Sequence, residues 1–333
     1  MDIDVVILWV DGLDPAWQAE KSRFLPPANA DCDSQNRYRD WGLLPYWFRA
    51  MEQFAPWVRT IHFVTWGHIP AFLNPNHPKL HIVRHEDFIP REYLPTFSSH
   101  TIEMNIHRIP GLSEHFLYFN DDMFLLQPMQ PRDFFRDGLP CTYGGEVPWQ
   151  FQGHIGTWEH AVVNNLGVIN RHFPKRSAVR SHGRKYLDHS YRWKDNLRTW
   201  CLHKLFPDYF TGFRNLHAPA PYLIKTFRQV WDAEPELLHQ TCCDKFRSPG
   251  NVNQWVCLWW QIASGNFTPY MVDNLVCGIS ENTLDILCDC IENQSQAMLC
   301  LNDPETSVDF EPLSRRLQAS FRAILPEKST FEQ

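Results

Sequence analysis

Two adjacent carboxylates end a hydrophobic run. His115-Phe116-Leu117-Tyr118-Phe119 is short, apolar and aromatic, as a buried strand is, and it stops at Asn120-Asp121-Asp122. Ligands of an open α/β sheet bind outside the carboxyl ends of its strands, where paired carboxylates can hold a hard cation that bridges substrate phosphates. Asp121 and Asp122 are therefore candidate ligands for Mg²⁺ or Mn²⁺. Glu103, on a helix predicted over residues 99–107, is a third acid able to face the same crevice. A surface turn shares this composition, but the apolar strand before it favours a site. A second acidic strand end follows Ile3 to Val10, where Asp11-Gly12 and Asp14-Pro15 close a β-branched run. A nucleotide laid across it would meet Trp9, Asp11 and Gly12, with Trp9 or Trp17 near its base; a plain strand-to-loop turn reads equally well.

Cationic partners lie elsewhere in the chain. Arg37-Tyr38-Arg39-Asp40 precedes a helix predicted over residues 43–54, and two guanidinium groups there can clamp a pyrophosphate bidentately, although simple surface charge would look alike. His217 follows a loop, with Pro219 and Pro221 fixing the chain after it, and Arg247 sits in Phe-Arg-Ser-Pro, where proline ends regular structure.

The elements needed to position these groups can be read from periodicity. Strands are predicted at residues 3–10, 60–66, 80–84 and 115–119, with a helix after the first and after the third and a proline-rich segment at 69–78 between the second and third, and this order is that of a doubly wound sheet. Right-handed crossovers would bring the ends of the first and last of these strands to one edge. Residues 18–36 read as an irregular loop, 222–231 and 255–263 as helices, 297–301 as a last strand ending at Asn302-Asp303, and 312–325 as a terminal helix.

Composition narrows the class. A chain of 333 residues with 44% hydrophobic content, 14 Trp and 23 Phe can bury a large core, and a net charge of −7 argues against a nucleic-acid binder. The ten cysteines contain no Cys-x-x-Cys pair, so free thiols of a cytoplasmic protein are expected rather than a zinc site. Neither a secretory start nor a run of about 20 apolar residues is seen, which leaves peripheral contact as the only expected relation to a membrane. Charge is segregated: residues 171–198 hold nine Lys/Arg and two Asp, a net +7. With Tyr186, Leu187, Tyr191, Trp193, Leu197 and Trp200 interleaved, segment 171–200 suits an anionic polymer acceptor or the acidic inner face of a bacterial membrane. A basic helix packed on the core by its aromatics is the plainer alternative.

A resemblance runs through these motifs. IDVVILWVDG, then RYRDWGLL and RAMEQFAPWVRTIHFVTWG, then LPTFSSHTIEMNIHRIPGLSEHFLYFNDDMF, resemble the first two conserved regions of the Stealth family of sugar-1-phosphate transferases. That family includes bacterial capsular polysaccharide phosphotransferases and the catalytic subunit of the animal N-acetylglucosamine-1-phosphotransferase. Residues 217–222 and 245–249 resemble a third region, and 299–303 a weaker fourth; Trp41, Pro45 and Ala220 depart from the family pattern.

The resemblance implies transfer of a sugar-1-phosphate from a nucleotide sugar, a UDP-N-acetylhexosamine or UDP-hexose, to a saccharide hydroxyl. A phosphodiester forms and nucleoside monophosphate leaves, as in capsular or cell-surface polysaccharide synthesis. A metal-dependent glycosyltransferase releasing nucleoside diphosphate would present the same acidic strand end. By motif, Glu103, Asp122, His217 and Arg247 match the family's active-site acids, histidine and arginine, with the general base open between His217 and Asp122. Trp9, Asp11, Gly12, Arg37, Arg39, Asp40, Asn120 and Asn302 are the expected donor-binding residues. The fold expected is α/β: an open doubly wound mixed sheet, a glycosyltransferase-like nucleotide-sugar core with helical additions. Its expected parts are a nucleotide-sugar and metal half (1–140), a basic helical insertion (141–210) and a second core half with a C-terminal helix (211–333).

Overall fold

Ile3–Leu8 (β1) carries no polar-out alternation, and its first five residues are all buried. Such a run requires cover on both faces, the situation of a central strand in a parallel sheet. The computed structural model describes residues 1–25, 38–151, 153, 155–303 and 309–333. In it β1 lies between Ile61–Thr65 (β2) and His115–Asn120 (β4), with Leu80–Arg84 (β3) beyond β2, all parallel. Met123–Leu125 (β5) follows directly, and Phe135–Arg136 (β6) with Leu139–Thr142 (β7) begins a small separate sheet. Ala220–Leu223 (β8) then adds antiparallel to β4, giving the main sheet the order β3-β2-β1-β4-β8. Thr268–Pro269 (β9) completes the small sheet, while Asn274–Gly278 (β10), Met298–Asn302 (β11) and β5 form a third.

Side-chain alternation divides this sheet between two cores. Val5, Ile7, Leu117 and Phe119 enter one apolar cluster with Trp47, Phe48 and Phe63, whereas Val6, Phe116 and Tyr118 enter another with Met104, Tyr222 and Trp259. That is the doubly wound mixed α/β arrangement expected, with helices on either face.

Several expectations need correction. Residues 18–24 are helical rather than irregular: Asp14 caps the helix Pro15–Phe24 by accepting from the Ala16 and Trp17 amides, both at 2.8 Å, with proline in the first turn. The stretch expected to start a helix at Tyr222 is first a strand, and the helix runs Ile224–Ala233. Pro221 disguised that strand, yet an edge position tolerates a missing amide. The basic segment forms two helices, Lys175–Tyr186 and Trp193–Leu205, not one. Part of its charge and aromatic surface is internal, although Arg171, Arg176, Arg180, Arg184, Arg192 and Lys194 are exposed. Lys175 Nζ is 2.8 Å from Glu146 in a fully buried pair, Lys185 Nζ donates to the Gly265 and Phe267 carbonyls at 2.6 and 2.7 Å, and Tyr186 and Tyr191 are buried.

At the amino end of β1, opposite the strand ends that carry acids, Asp4 is fully buried and accepts from Arg59 Nε at 2.8 Å and from the Ser113 amide at 2.7 Å. Burial pushes its carboxyl up, but Arg59, His62 and the amide outweigh this and bring it down to about 2. A carboxylate depressed in the folded state stabilises above its unfolded pKa, and that stability is lost as pH falls from about 4 to about 2. Asp4→Asn is expected to abolish this acid-range slope and to cost roughly 2–3 kcal/mol at neutral pH by removing the charge that its hydrogen bonds meet, Arg59 itself being left partly exposed. Denaturant midpoints recorded from pH 7 to pH 2 measure both effects.

Candidate active site

Because β3, β2, β1 and β4 run parallel, their carboxyl ends share one edge, and a cleft of about 350 Å³ opens there. Trp9, Arg39, Asp40, Glu103, Asn120, Asp121, Asp122 and Arg247 all line it, residues drawn from five separate parts of the sequence.

Asp121 and Asp122 are the two residues between β4 and β5. The chain leaves the main sheet at Asn120 and enters another at Met123, so the acid pair is the joint between sheets. The backbone carbonyl of Asp122 accepts from the Leu301 amide at 2.9 Å, tying that joint to β11. From β11 the Cys300 thiol reaches Asp122 Oδ2 and Asn302 Oδ1, each at 3.5 Å, and His217 Nδ1 at 3.6 Å. His217 is thereby brought to Asp122 from a loop that is remote in sequence. Its backbone takes a left-handed φ of 44°, with its amide donating to Asn215 Oδ1 at 2.9 Å. Such a conformation in a non-glycine residue costs energy and persists where the surroundings impose it.

Glu103 has a different setting. It is buried, with Tyr118 Oη 3.3 Å from Oε1 and the Gln254 amide donating to Oε2 at 3.1 Å. Burial pushes its carboxyl up and the charge of Arg247 pulls it back; Arg247 in turn donates from Nη2 to Ser99 Oγ at 2.8 Å. Glu103 thus holds Arg247 and the Tyr118 hydroxyl, which also reaches Asn120 Oδ1 at 2.7 Å.

The acid pair is where a cation fits. Loss of hydration, then the charges of Asp122, Asp40 and Asp303, push Asp121 up to about 7 although it is exposed within the cleft. Burial also pushes Asp122 up, against His217 and Cys300, and its Oδ1 is buried without a hydrogen-bond partner. Carboxylates that crowd one another and leave an oxygen unsatisfied suit a divalent ion. The expected trio does not assemble: among the described residues no three His, Cys, Asp or Glu side chains gather closely enough to hold a metal. Glu103, its oxygens already engaged, is better placed as the partner of Arg247. Two carboxylates plus substrate phosphates remain an ordinary Mg²⁺ ligand set.

Other donor-site candidates divide. Arg39 lines the cleft, with its guanidinium 5.2 Å from the Phe310 ring centroid and 3.7 Å from Asp303 Oδ1. Asp40 lines it too and accepts from the Gly42 amide at 2.7 Å. Asp11 and Gly12 shape the loop rather than the lining: Asp11 Oδ1 accepts from the Leu13 amide at 2.9 Å, and a Cβ at Gly12 would lie 2.4 Å from Tyr38 Cβ. Asn302 meets Cys300 behind the lining, and Arg37 lies outside the described residues.

Sequence reasoning missed Ser99, Tyr118 and Cys300 as members of this site, and Phe97 and Phe246, whose rings stack at 5.4 Å and join the expected Trp17 in an aromatic wall. Asp303 was visible only as part of a polar strand end. At the β3 end His85 lines the cleft, its imidazole pushed down to about 4 by burial and therefore neutral at pH 7.

Comparison with known proteins agrees with the arrangement. Residues 1–26 match Stealth protein conserved region 1, and residues 37–141 match conserved region 2, the stretch that builds β2 to β6 and most of β7. A capsular polysaccharide phosphotransferase of Streptococcus pneumoniae is 37% identical over 338 residues, covering 100% of this chain and 99% of the relative. A receptor polysaccharide phosphotransferase of Streptococcus gordonii is 36% identical, covering 99% of this chain and 98% of the relative. An exopolysaccharide phosphotransferase of Lactiplantibacillus plantarum is 33% identical, covering 100% and 96%. With two of the family's conserved regions in place and similarity running the whole length of phosphotransferase relatives, the chain belongs to the Stealth family.

Proposed function

We propose that the cleft binds a nucleotide sugar and transfers its sugar-1-phosphate to a saccharide hydroxyl in capsular or exopolysaccharide synthesis. The observation that carries this is the meeting of His217 with Asp122 at the sheet joint, while Arg247 lines the same cleft and is held by Ser99. Three strand spacings put the β3 end about 14 Å from the β4 end. That span suits a nucleotide with its base by neutral His85 and Trp9 and its pyrophosphate by Asp121 and Asp122.

The acceptor oxygen forms a bond to the sugar-side phosphorus, and the bond from that phosphorus to the nucleotide's bridging oxygen breaks. His217 takes the acceptor's proton on the ring nitrogen turned away from Cys300, and Asp122 stabilises the imidazolium so formed. Arg247 and Arg39 offset the charge on the phosphoryl oxygens. Mg²⁺ or Mn²⁺, when held by Asp121 and Asp122 with the donor phosphates, supplies further charge neutralisation. The exposed part of segment 171–200 contacts an anionic surface, either the acceptor polymer or a membrane face.

The test is the nucleotide product. Incubation with a UDP-N-acetylhexosamine or UDP-hexose and a saccharide acceptor is expected to release UMP, resolved chromatographically from UDP. Stoichiometric UDP would mean attack on the anomeric carbon and a glycosyltransferase instead.

A further inference from the structure

The helix Trp193–Leu205 turns its apolar residues the wrong way for a soluble protein. Thr199 and Leu202 face inward, while Trp193, Leu197 and Trp200, spaced i, i+4 and i+7 along one face, point to solvent. Beyond the helix the same character continues. Trp193, Leu205 and Tyr209 are 69%, 71% and 66% exposed, and Leu197, Trp200 and Phe206 are each about half exposed. Contiguous exposed apolar surface of this kind marks an interaction site.

Its charge surroundings select the partner. Arg192, Lys194 and Lys204 are exposed on or beside this helix, and Arg180 and Arg184 are exposed on the neighbouring helix Lys175–Tyr186. The local acids are already engaged. Asp195 pairs with Arg198 at 2.9 Å, Asp208 with Arg176 at 2.6 Å, and Asp188 accepts from the Ser190 amide at 2.9 Å. A second copy of the chain docked face to face would set these cations against their own equivalents. A hydrated anionic glycan would satisfy the cations but leave Leu197, Leu205 and Phe206 in water.

We infer that the outward face of the Trp193–Leu205 helix, continued by Phe206 and Tyr209, seats the enzyme on an anionic lipid bilayer. This rests on the reading of segment 171–200 as an anion-contacting surface, and it moves the contact towards 192–209. The apolar side chains enter the headgroup boundary, the indole and phenol rings sit at its polar level, and Arg192, Lys194 and Lys204 meet lipid phosphates. Among the described residues no helix is long and apolar enough to cross a membrane, so the binding would be of this interfacial kind.

Sedimentation of the full chain with vesicles tests it. Phosphatidylcholine vesicles containing about 30% phosphatidylglycerol are expected to pellet the protein, and neutral vesicles to do so at least ~10-fold more weakly. Combined Trp193→Ser, Leu197→Ser and Trp200→Ser should lose at least ~10-fold in partitioning, with the melting temperature unchanged. Arg192→Gln with Lys194→Gln and Lys204→Gln should weaken binding and flatten its salt dependence. Unaltered partitioning of the serine variant overturns the inference. So does absence of wild-type binding, whether the patch then supports a dimer in light scattering or retention on an anionic polysaccharide. Continued UMP release in any of these cases leaves the proposed reaction standing.

Discussion

Asp122→Asn is expected to lower kcat at least ~10²-fold, the scale of a positioned electrostatic group, with little change in melting temperature. The separation of the two effects follows from the joint between sheets. It is the backbone carbonyl of Asp122 that receives the Leu301 amide, and an asparagine keeps that bond. What the variant removes is the carboxylate that faces His217 and carries a buried, unsatisfied Oδ1. Chelator should abolish activity in the wild type, with Mg²⁺ or Mn²⁺ restoring it. Turnover with and without EDTA, alongside thermal melts of both proteins, checks the prediction; full activity in EDTA would remove the cation from the account.

His217→Ala and Arg247→Ala should each cost at least ~10²-fold in kcat, for different reasons. Loss of His217 removes the proton acceptor, so kcat should fall while the KM for the donor changes little. Loss of Arg247 removes the charge that keeps Glu103 from rising further, and the variant should therefore bury a protonated Glu103. Arg247→Lys restores charge but not the planar fork, and recovery should be partial. Steady-state kcat and KM for each variant check this, and a kcat for His217→Ala within ~10-fold of wild type would reassign the base to Asp122.

The main sheet was legible because β1, β2 and β4 are short runs dominated by β-branched and aromatic residues, buried along nearly their whole length as cover on both faces requires. Asp121 and Asp122 were legible for the same reason, standing where such a run ends. Less of the surroundings could be read. Cys300 looked like one more scattered thiol, since nothing local tells that β11 pairs with β5 and carries the thiol to Asp122 and His217. Tyr118 looked like core, which it is, apart from a hydroxyl that reaches Glu103 and Asn120. The partners of Glu103 were not legible, because periodicity places a carboxylate on a face but does not show which donors occupy its oxygens. The basic segment misled in the opposite sense: Lys175 and Lys185 counted as surface charge in the sequence, yet they are spent on Glu146 and on the carbonyls of Gly265 and Phe267.

The central claim is that the acceptor attacks phosphorus, and the fate of one oxygen tests it most directly. A UDP-sugar carrying ¹⁸O between the anomeric carbon and the phosphorus is incubated with enzyme, divalent cation and saccharide acceptor, and the products are examined by ³¹P NMR and mass spectrometry. Attack on phosphorus leaves the bond from the anomeric carbon to that oxygen intact, so the label should appear in a phosphodiester product, with unlabelled UMP released. Label recovered in UDP, with no phosphorus in the saccharide product, would contradict the account.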